Sequence, residues 1–362
     1  MSDKSFSSWF KSGAPWVWLN AGAVSISLVM VVGLLLLIAV RGLSHFWPAD
    51  IMEVSYTEPE QQTIMLMGEL IETETVSAVQ LKRTGVDLPE GQESAERVLV
   101  KVGNRDYFGM DFRWINAPWL GQASYPQELL SIERREWGRF YGRLVAIKQQ
   151  GEIVATGDDA YDELQQRLSR SNGLIDEIKH LEHTVIGKIN HGIETIRLDK
   201  RQLELDGVNE KSIQFTELED AKKQFDADYS ELQKQLAVLY TDLNRDQMVV
   251  KMSDGRDVEI SLAKVVLIHR PNAMGVLEKI GFYGHAVWDF VSGDPREANT
   301  EGGVFPAIFG TIMMVLIMAV LVTPFGVIAA VYLKEYAKQG PMIRLIRIAV
   351  NNLAGVPSIV YG

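Results

Sequence analysis

Two runs without a single charged side chain, residues 12–40 and 304–333, bracket a body dense in charge. A helix needs about 20 residues to cross a hydrocarbon layer about 30 Å thick, and both runs exceed that. The first lies between Lys11 and Arg41 and is followed by bulky His45-Phe46-Trp47. A cleaved leader has a shorter apolar core, about 7–15 residues, and small residues at its cleavage site. The run therefore reads as a retained membrane helix. Trp9, Trp16 and Trp18 at one end and Phe46 and Trp47 at the other suit the interfacial aromatic belts.

The second run breaks at Lys334-Glu335-Tyr336-Ala337-Lys338 and at Gly340-Pro341. A short amphipathic stretch follows, Met342 to Ile348, carrying Arg344 and Arg347. A further apolar segment starts after Pro357, and the expectation is that the sequence stops at the beginning of a third span. Basic residues gather on the cytoplasmic side of spans. Lys334, Lys338, Arg344 and Arg347 follow the second run, while Arg296 alone closely precedes it. Lys4 and Lys11 precede the first run and Arg41 follows it. Both patterns put the N-terminus in the cytoplasm and residues of about 42–303 outside it.

The phrases around the second run carry a resemblance. They are Asn299-Thr300-Glu301-Gly302-Gly303, Thr323-Pro324-Phe325-Gly326-Val327, Ala330-Val331-Tyr332-Leu333-Lys334-Glu335-Tyr336, Arg344 to Arg347, and Val356-Pro357-Ser358-Ile359-Val360-Tyr361-Gly362. In this order and spacing they resemble the start of the permease domain of phosphate-specific ABC importers, of the PstA type. The resemblance implies an inner-membrane permease subunit of an ATP-driven phosphate importer, working by alternating access. It implies a second permease subunit, two ATPase subunits and a periplasmic phosphate-binding protein as partners. It also implies that ATP hydrolysis sits on a separate polypeptide, so this chain is expected to be no enzyme. Its buried charged residues and its Glu-Ala-Ala coupling loop are not found among these residues. The large body between the runs departs from the compact form of the family.

That body divides by periodicity. Between Tyr56 and Thr156, Thr63 to Met67, Arg97 to Val102 and Arg143 to Ile147 read as strands, separated by Gly85, Pro89, Gly91, Gly103, Pro118 and Pro126. Gln149-Gln150-Gly151 reads as a hairpin turn. From Asp158 the period becomes helical: Leu164, Leu168, Ile175, Ile178, Val185 and Ile189, then Leu218, Phe225, Leu232 and Leu239 at an unbroken step of seven. Such stripes bury against another helix. An antiparallel coiled-coil hairpin over 158–245 is expected, its turn near Gly207 or Gly192, with each arm covering the other. Strand character returns at Met248 to Met252 and Val258 to Ile260 around the hairpin signal Asp254-Gly255, then at Val265 to Ile268. Phe282 to Phe290 reads as an amphipathic lead back to the membrane.

The expected architecture is thus a membrane α-helical chain with an extracytoplasmic α+β domain. Residues 1–41 hold the tail and first span. Residues 42–157 and 246–298 form a β-rich body, 158–245 the helical insert, and 299–362 the start of a permease domain. Because inserted hairpins bury mainly their own stripe, the β-rich body is expected to stand without the insert.

Several chemistries are excluded or unsupported. The net charge of -11 argues against a nucleic-acid-binding body and against a phosphate trap in the middle region. Cysteine is absent, which removes disulfides, Cys-ligated zinc and thiol nucleophiles. The nearest fragment of a phosphate loop, Gly187-Lys188, has Glu182 where its first glycine belongs. His180, His183 and His191 share a helical region but lack the further ligands a metal shell needs. Asp158, Asp159, Asp162 and Glu163 suit a helix N-terminus. Pro324 removes a hydrogen bond inside the second run, and Thr323 is placed to satisfy the freed carbonyl. Catalytic, cofactor and metal residues are therefore none, and the substrate site is unassigned. The residues alone leave a second reading open, a membrane-tethered periplasmic scaffold or sensor recruiting partners through the coiled coil.

Overall fold

The computed structural model describes residues 12–58, 62–83, 93–157, 159–209, 211–296, 301–338 and 340–355. Lys4, Trp9, Lys11, Gly85, Pro89, Gly91, Asp158, Asn299, Thr300 and the segment after Pro357 lie outside the described residues. The contacts divide the chain into Met1–Val287 and Trp288–Gly362, taken in turn.

The first unit begins with α1, Ala14–Ser44, in which Pro15 occupies a first-turn position where a missing N–H costs nothing. No residue of α1 is buried, as expected of a helix whose apolar surface faces lipid. Two antiparallel sheets follow. The first has the order β1-β2-β3-β4, from Ile51–Tyr56, Ile64–Ser77, Ser94–Lys101 and Phe112–Asn116. Its core is Val54, Tyr56, Leu66, Val98, Val100 and Ile115. Two short helices, α2 (Ala78–Arg83) and α3 (Arg105–Phe108), bridge its strands.

The second sheet has the order β10-β5-β6-β8-β9, with β7 also on β6. Its strands are β5 Leu129–Arg134, β6 Arg139–Gln149, β7 Glu152–Thr156, β8 Asp246–Lys251, β9 Asp257–Ser261 and β10 Val265–His269. The Gln150-Gly151 and Asp254-Gly255 turns form where their sequence signals place them, with Gln150, Gly151 and Gly255 all at positive φ. The two sheets are joined by Ile51, Met67, Leu129 and Tyr141 in one buried cluster. Cross-sheet ion pairs reinforce the joint: Arg139 with Glu69 at 2.9 Å, and Arg143 with Glu53 at 2.6 Å.

Between β7 and β8 the chain makes a long helical excursion. Helix α4, Ala160–His180, continues through a widened turn, Leu181–Val185, into α5, Ile186–Leu205. The reversal is at Gly207, whose φ of 71° suits glycine. Gly192 lies inside α5, where the Phe225 ring packs against it; a Cβ there would stand 2.4 Å from that ring. Helix α6, Ile213–Leu243, returns, with Ser212 capping its N-terminus by accepting from the Phe215 amide. The apolar stripes meet: Ile175, Ile178 and Ile189 cluster with Leu232, Leu236 and Leu243.

One expectation is corrected here. The first helix does not bury only against its partner. Ala160, Leu164 and Leu168 belong to the core of the second sheet, with Leu130, Ile132, Phe140, Met248 and Val250. Asp246, where the excursion re-enters the sheet, is buried and receives Arg167 at 2.6 Å and Arg170 at 3.1 Å from α4, and Arg245 at 2.9 Å. Burial pushes its carboxyl up, but the hydrogen bonds from Arg245 and Arg167 outweigh burial and hold it below the usual carboxylate value. The base of the excursion is therefore part of the β body. The other differences are additions. Strands β1, β4 and β5 were not expected. β2 runs ten residues beyond Met67, to Ser77, and the amphipathic lead expected at Phe282 to Phe290 lies within a helix, α7, that spans Val276–Ser292.

In the second unit two short antiparallel strands, β11 Pro295–Arg296 and β12 Glu301–Gly302, precede α8, Phe305–Val331. A widened turn, Tyr332–Tyr336, then precedes α9, Pro341–Gly355.

Candidate functional site

Of the residues that carry the sequence phrases, Glu301 to Gly303 stand before α8, Thr323 to Val327 lie inside it, Ala330 to Tyr336 close it, and Arg344 to Arg347 lie on α9. At the start of α8, the chain must leave α7 and enter an apolar helix within a dozen residues. Gly302 and Gly303 make that corner possible. Gly302 has φ 87°, and a Cβ there would lie 2.6 Å from the Asp294 carbonyl oxygen. At Gly303 a Cβ would lie 2.1 Å from the Gly293 carbonyl oxygen. Neither approach is open to a larger residue without moving backbone. The close packing lets backbone amides find partners: Gly303 N–H donates to Asp294 at 2.9 Å, and Val304 N–H to Phe290 at 2.8 Å. Four N–H groups at a helix start lack helical acceptors, and Phe305 N–H donates to Gly293 at 3.3 Å. Glu301 pairs its backbone with Arg296 across the two strands.

Helix α8 has no buried residue, as α1 has none. Pro324 leaves the Val320 carbonyl without its helical donor, yet the helix continues to Val331. Thr323 was expected to satisfy that carbonyl. Among the described residues it forms no such bond, whereas Thr311 donates to Ala307 at 2.8 Å.

At its far end α8 widens into Tyr332–Tyr336, and Ala337 N–H returns to the Tyr332 carbonyl at 2.9 Å. Arg347, one of the two arginines singled out in the sequence, reaches back from α9 to the Leu333 carbonyl at 3.4 Å. A cation at a helix C-terminus both bonds an orphan carbonyl and meets the negative end of the helix dipole. Arg344 stays exposed, as do Met342, Leu345 and Ile348 on α9. Val356 to Gly362 lie outside the described residues.

The other residues weighed in the sequence do not assemble. His180, His183 and His191 are exposed on the helical excursion, and among the described residues no group of three His, Asp or Glu side chains converges on a point. Gly187-Lys188 is helical, inside α5, so it offers no phosphate-cradling loop. Asp162 and Glu163 lie in the first turn of α4 behind Asp159.

A polar group that sequence reasoning missed sits under α7. His269 is buried, its ring 4.3 Å from Phe282 of α7, and its Nδ1 has no partner among the described residues. Burial, then the nearby charges of Arg139 and Lys279, bring its pKa down to about 3, so it is neutral near pH 7. Its only sequence signal was a histidine ending a strand.

Comparison with known proteins finds transporters similar to part of this chain. The phosphate transport system permease protein PstA of Mycobacterium leprae is 37% identical over 90 residues, 24% of this chain and 29% of that protein. PstA 1 of Mycobacterium tuberculosis is 49% identical over 59 residues, 16% of this chain and 19% of that protein. A probable ABC transporter permease protein of Bacillus subtilis, YqgH, is 29% identical over 69 residues, 19% and 22% of the two chains. The chain spans less than a third of the length of these curated relatives. No family model matches, and no solved structure does. PstA-type permeases are thus relatives of this chain at modest identity over part of its length.

Proposed function

We propose that this chain belongs to a permease subunit of an ATP-driven importer of inorganic phosphate. The observation that carries the reading is the Gly302-Gly303 corner joined to an uncharged helix long enough to span a bilayer, within a chain whose relatives are phosphate transport permeases. The matched lengths of 59 to 90 residues are comparable with the segment from residue 299 onward, which carries the quoted phrases.

On this reading α1 and α8 both cross the inner membrane. The basic cluster Lys334, Lys338, Arg344 and Arg347 lies in the cytoplasm, and the two-sheet body with its coiled-coil excursion lies in the periplasm. The subunit works with a second permease subunit, two ATPase subunits and a periplasmic phosphate-binding protein. ATP hydrolysis falls to those ATPase subunits on this reading, since no phosphate loop is written in this chain. Two spans cannot enclose a polar path, since an ion in hydrocarbon must be screened by neighbouring helices. On this reading the translocation path needs helices besides α1 and α8.

Uptake of radiolabelled phosphate tests this. Source cells in which the reading frame is deleted should lose energy-dependent uptake, and a plasmid copy should restore it. A Gly303→Leu copy, inserted in the membrane at normal level, should not restore it. Full uptake in the deleted strain would refute the proposal.

A further inference from the structure

Helix α7, Val276–Ser292, presents three faces, and only two have an explanation within the fold. One packs on the β body: Lys279 bonds Asp50 at 2.5 Å, Phe282 meets His269, and Tyr283 lies against Trp47, the rings tilted with centroids 6.1 Å apart. A second face, Glu278, His285, Asp289 and Ser292, is polar and exposed. The third is apolar and equally exposed. At 100° per residue, Val276, Leu277, Ile280, Trp288 and Val291 fall within about 120° of the circumference. Leu277 is 84% exposed and Trp288 68%. The only other residues in that arc are Val287, half-buried, and Gly284, beside which a Cβ would meet nothing within 4 Å.

We infer that this third face lies in the lipid headgroup–acyl boundary of the outer leaflet, making α7 an interfacial helix parallel to the membrane surface. The occupant follows from continuity with the spanning segment. The Phe290 carbonyl, in the last turn of α7, holds the amide of Val304, the residue immediately before α8. The last turn of α7 therefore sits at the depth where the chain enters the bilayer. A tryptophan at that level, with an apolar ring and a polar N–H, suits the interface. The polar flank carries Glu278 and Asp289 and no lysine or arginine, so burial of apolar surface, not attraction to anionic headgroups, holds the face in place. The inference rests on α8 crossing the membrane.

The absence of native cysteine makes the test direct. Single spin labels at Leu277→Cys, Ile280→Cys and Val291→Cys, on the polar face at Glu278→Cys and His285→Cys, and in α8 at Met318→Cys, are placed in the full chain. The chain is reconstituted in phosphatidylcholine vesicles containing a fraction of phosphatidylglycerol. Collision with oxygen, which concentrates in lipid, and with a polar nickel chelate, which stays in water, is then measured. The three apolar-face labels should favour oxygen at shallow depth, unchanged in high salt, with the polar-face labels favouring nickel and Met318→Cys deep. Apolar-face labels that favour nickel while Met318→Cys is deep would overturn the inference and leave the permease reading intact. Apolar-face labels shielded from both reagents would show a protein covering the face and also overturn it. A Met318→Cys label in water would remove the membrane reading of α8 and this inference with it.

Discussion

The backbone N–H of Val304 donates to the carbonyl of Phe290 at 2.8 Å, so the last turn of one helix is tied to the residue before the start of the next. Between them Pro295 and Arg296 pair with Gly302 and Glu301, and the close approaches at Gly302 and Gly303 leave no room for a Cβ. This relationship turns the Glu301-Gly302-Gly303 phrase from a marker into a mechanical part.

Gly303→Ala should loosen that corner. Its Cβ would stand 2.1 Å from the Gly293 carbonyl, so backbone must move, at a cost of about 1–3 kcal/mol. Gly310→Ala, in α8 with nothing near its Cβ, should be close to neutral. Thermal unfolding in detergent should show a fall of several degrees for Gly303→Ala against Gly310→Ala, and equal melting would dismiss the steric argument.

Asp246→Ala strands three arginines at the base of the helical excursion. Removing one partner of a buried ion cluster costs about 3–5 kcal/mol, and the low end applies because Arg170 and Arg245 remain partly in water. Urea unfolding followed by near-UV circular dichroism should register the loss, while Asp220→Ala, on an exposed i,i+3 pair, should change little.

The excursion should tolerate shortening only beyond its base. Tyr240 donates to Glu182 at 2.7 Å across the two arms, so a short Gly-rich turn can bridge those positions. Replacing residues 183–239 in the full chain should leave one cooperative unfolding transition. Replacing 158–245 should abolish it, because Leu164 and Leu168 fill the sheet core. A full deletion that still unfolds cooperatively would show the base to be dispensable.

His269 should make stability depend on acid. Its folded pKa of about 3 lies below its ordinary 6.5, so between those values the unfolded chain binds the extra proton and stability falls as pH falls. The contribution is complete above about pH 6.5 and declines toward pH 3, by about 3 kcal/mol at pH 4. His269→Phe should flatten the stability profile between pH 7 and 4; parallel profiles for the two proteins would remove His269 as the cause.

Local chemistry explains what was legible beforehand. Asp254-Gly255 and Gln150-Gly151 are turns written in two or three residues, and both formed. The stripes Leu164 to Ile189 and Leu218 to Leu239 fixed the long helices, since a helical period reports a buried face. It does not report what covers that face, so the sheet beneath Leu164 and Leu168 was invisible. Strand β5, Leu129–Arg134, escaped because it is buried on both faces and shows no alternation. His269 escaped for a related reason: its neighbours Arg139 and Lys279 are distant in sequence. At the candidate site the glycine phrase was readable, but its geometry depends on Gly293 and Phe290, ten or more residues earlier.

The proposed function requires two membrane crossings with the folded body outside the cytoplasm. In intact spheroplasts, a membrane-impermeant maleimide should label Asp254→Cys, in the exposed β8–β9 turn, and should label Lys338→Cys only after the membrane is opened. Labelling of Lys338→Cys in intact spheroplasts, with Asp254→Cys protected until permeabilisation, would contradict it.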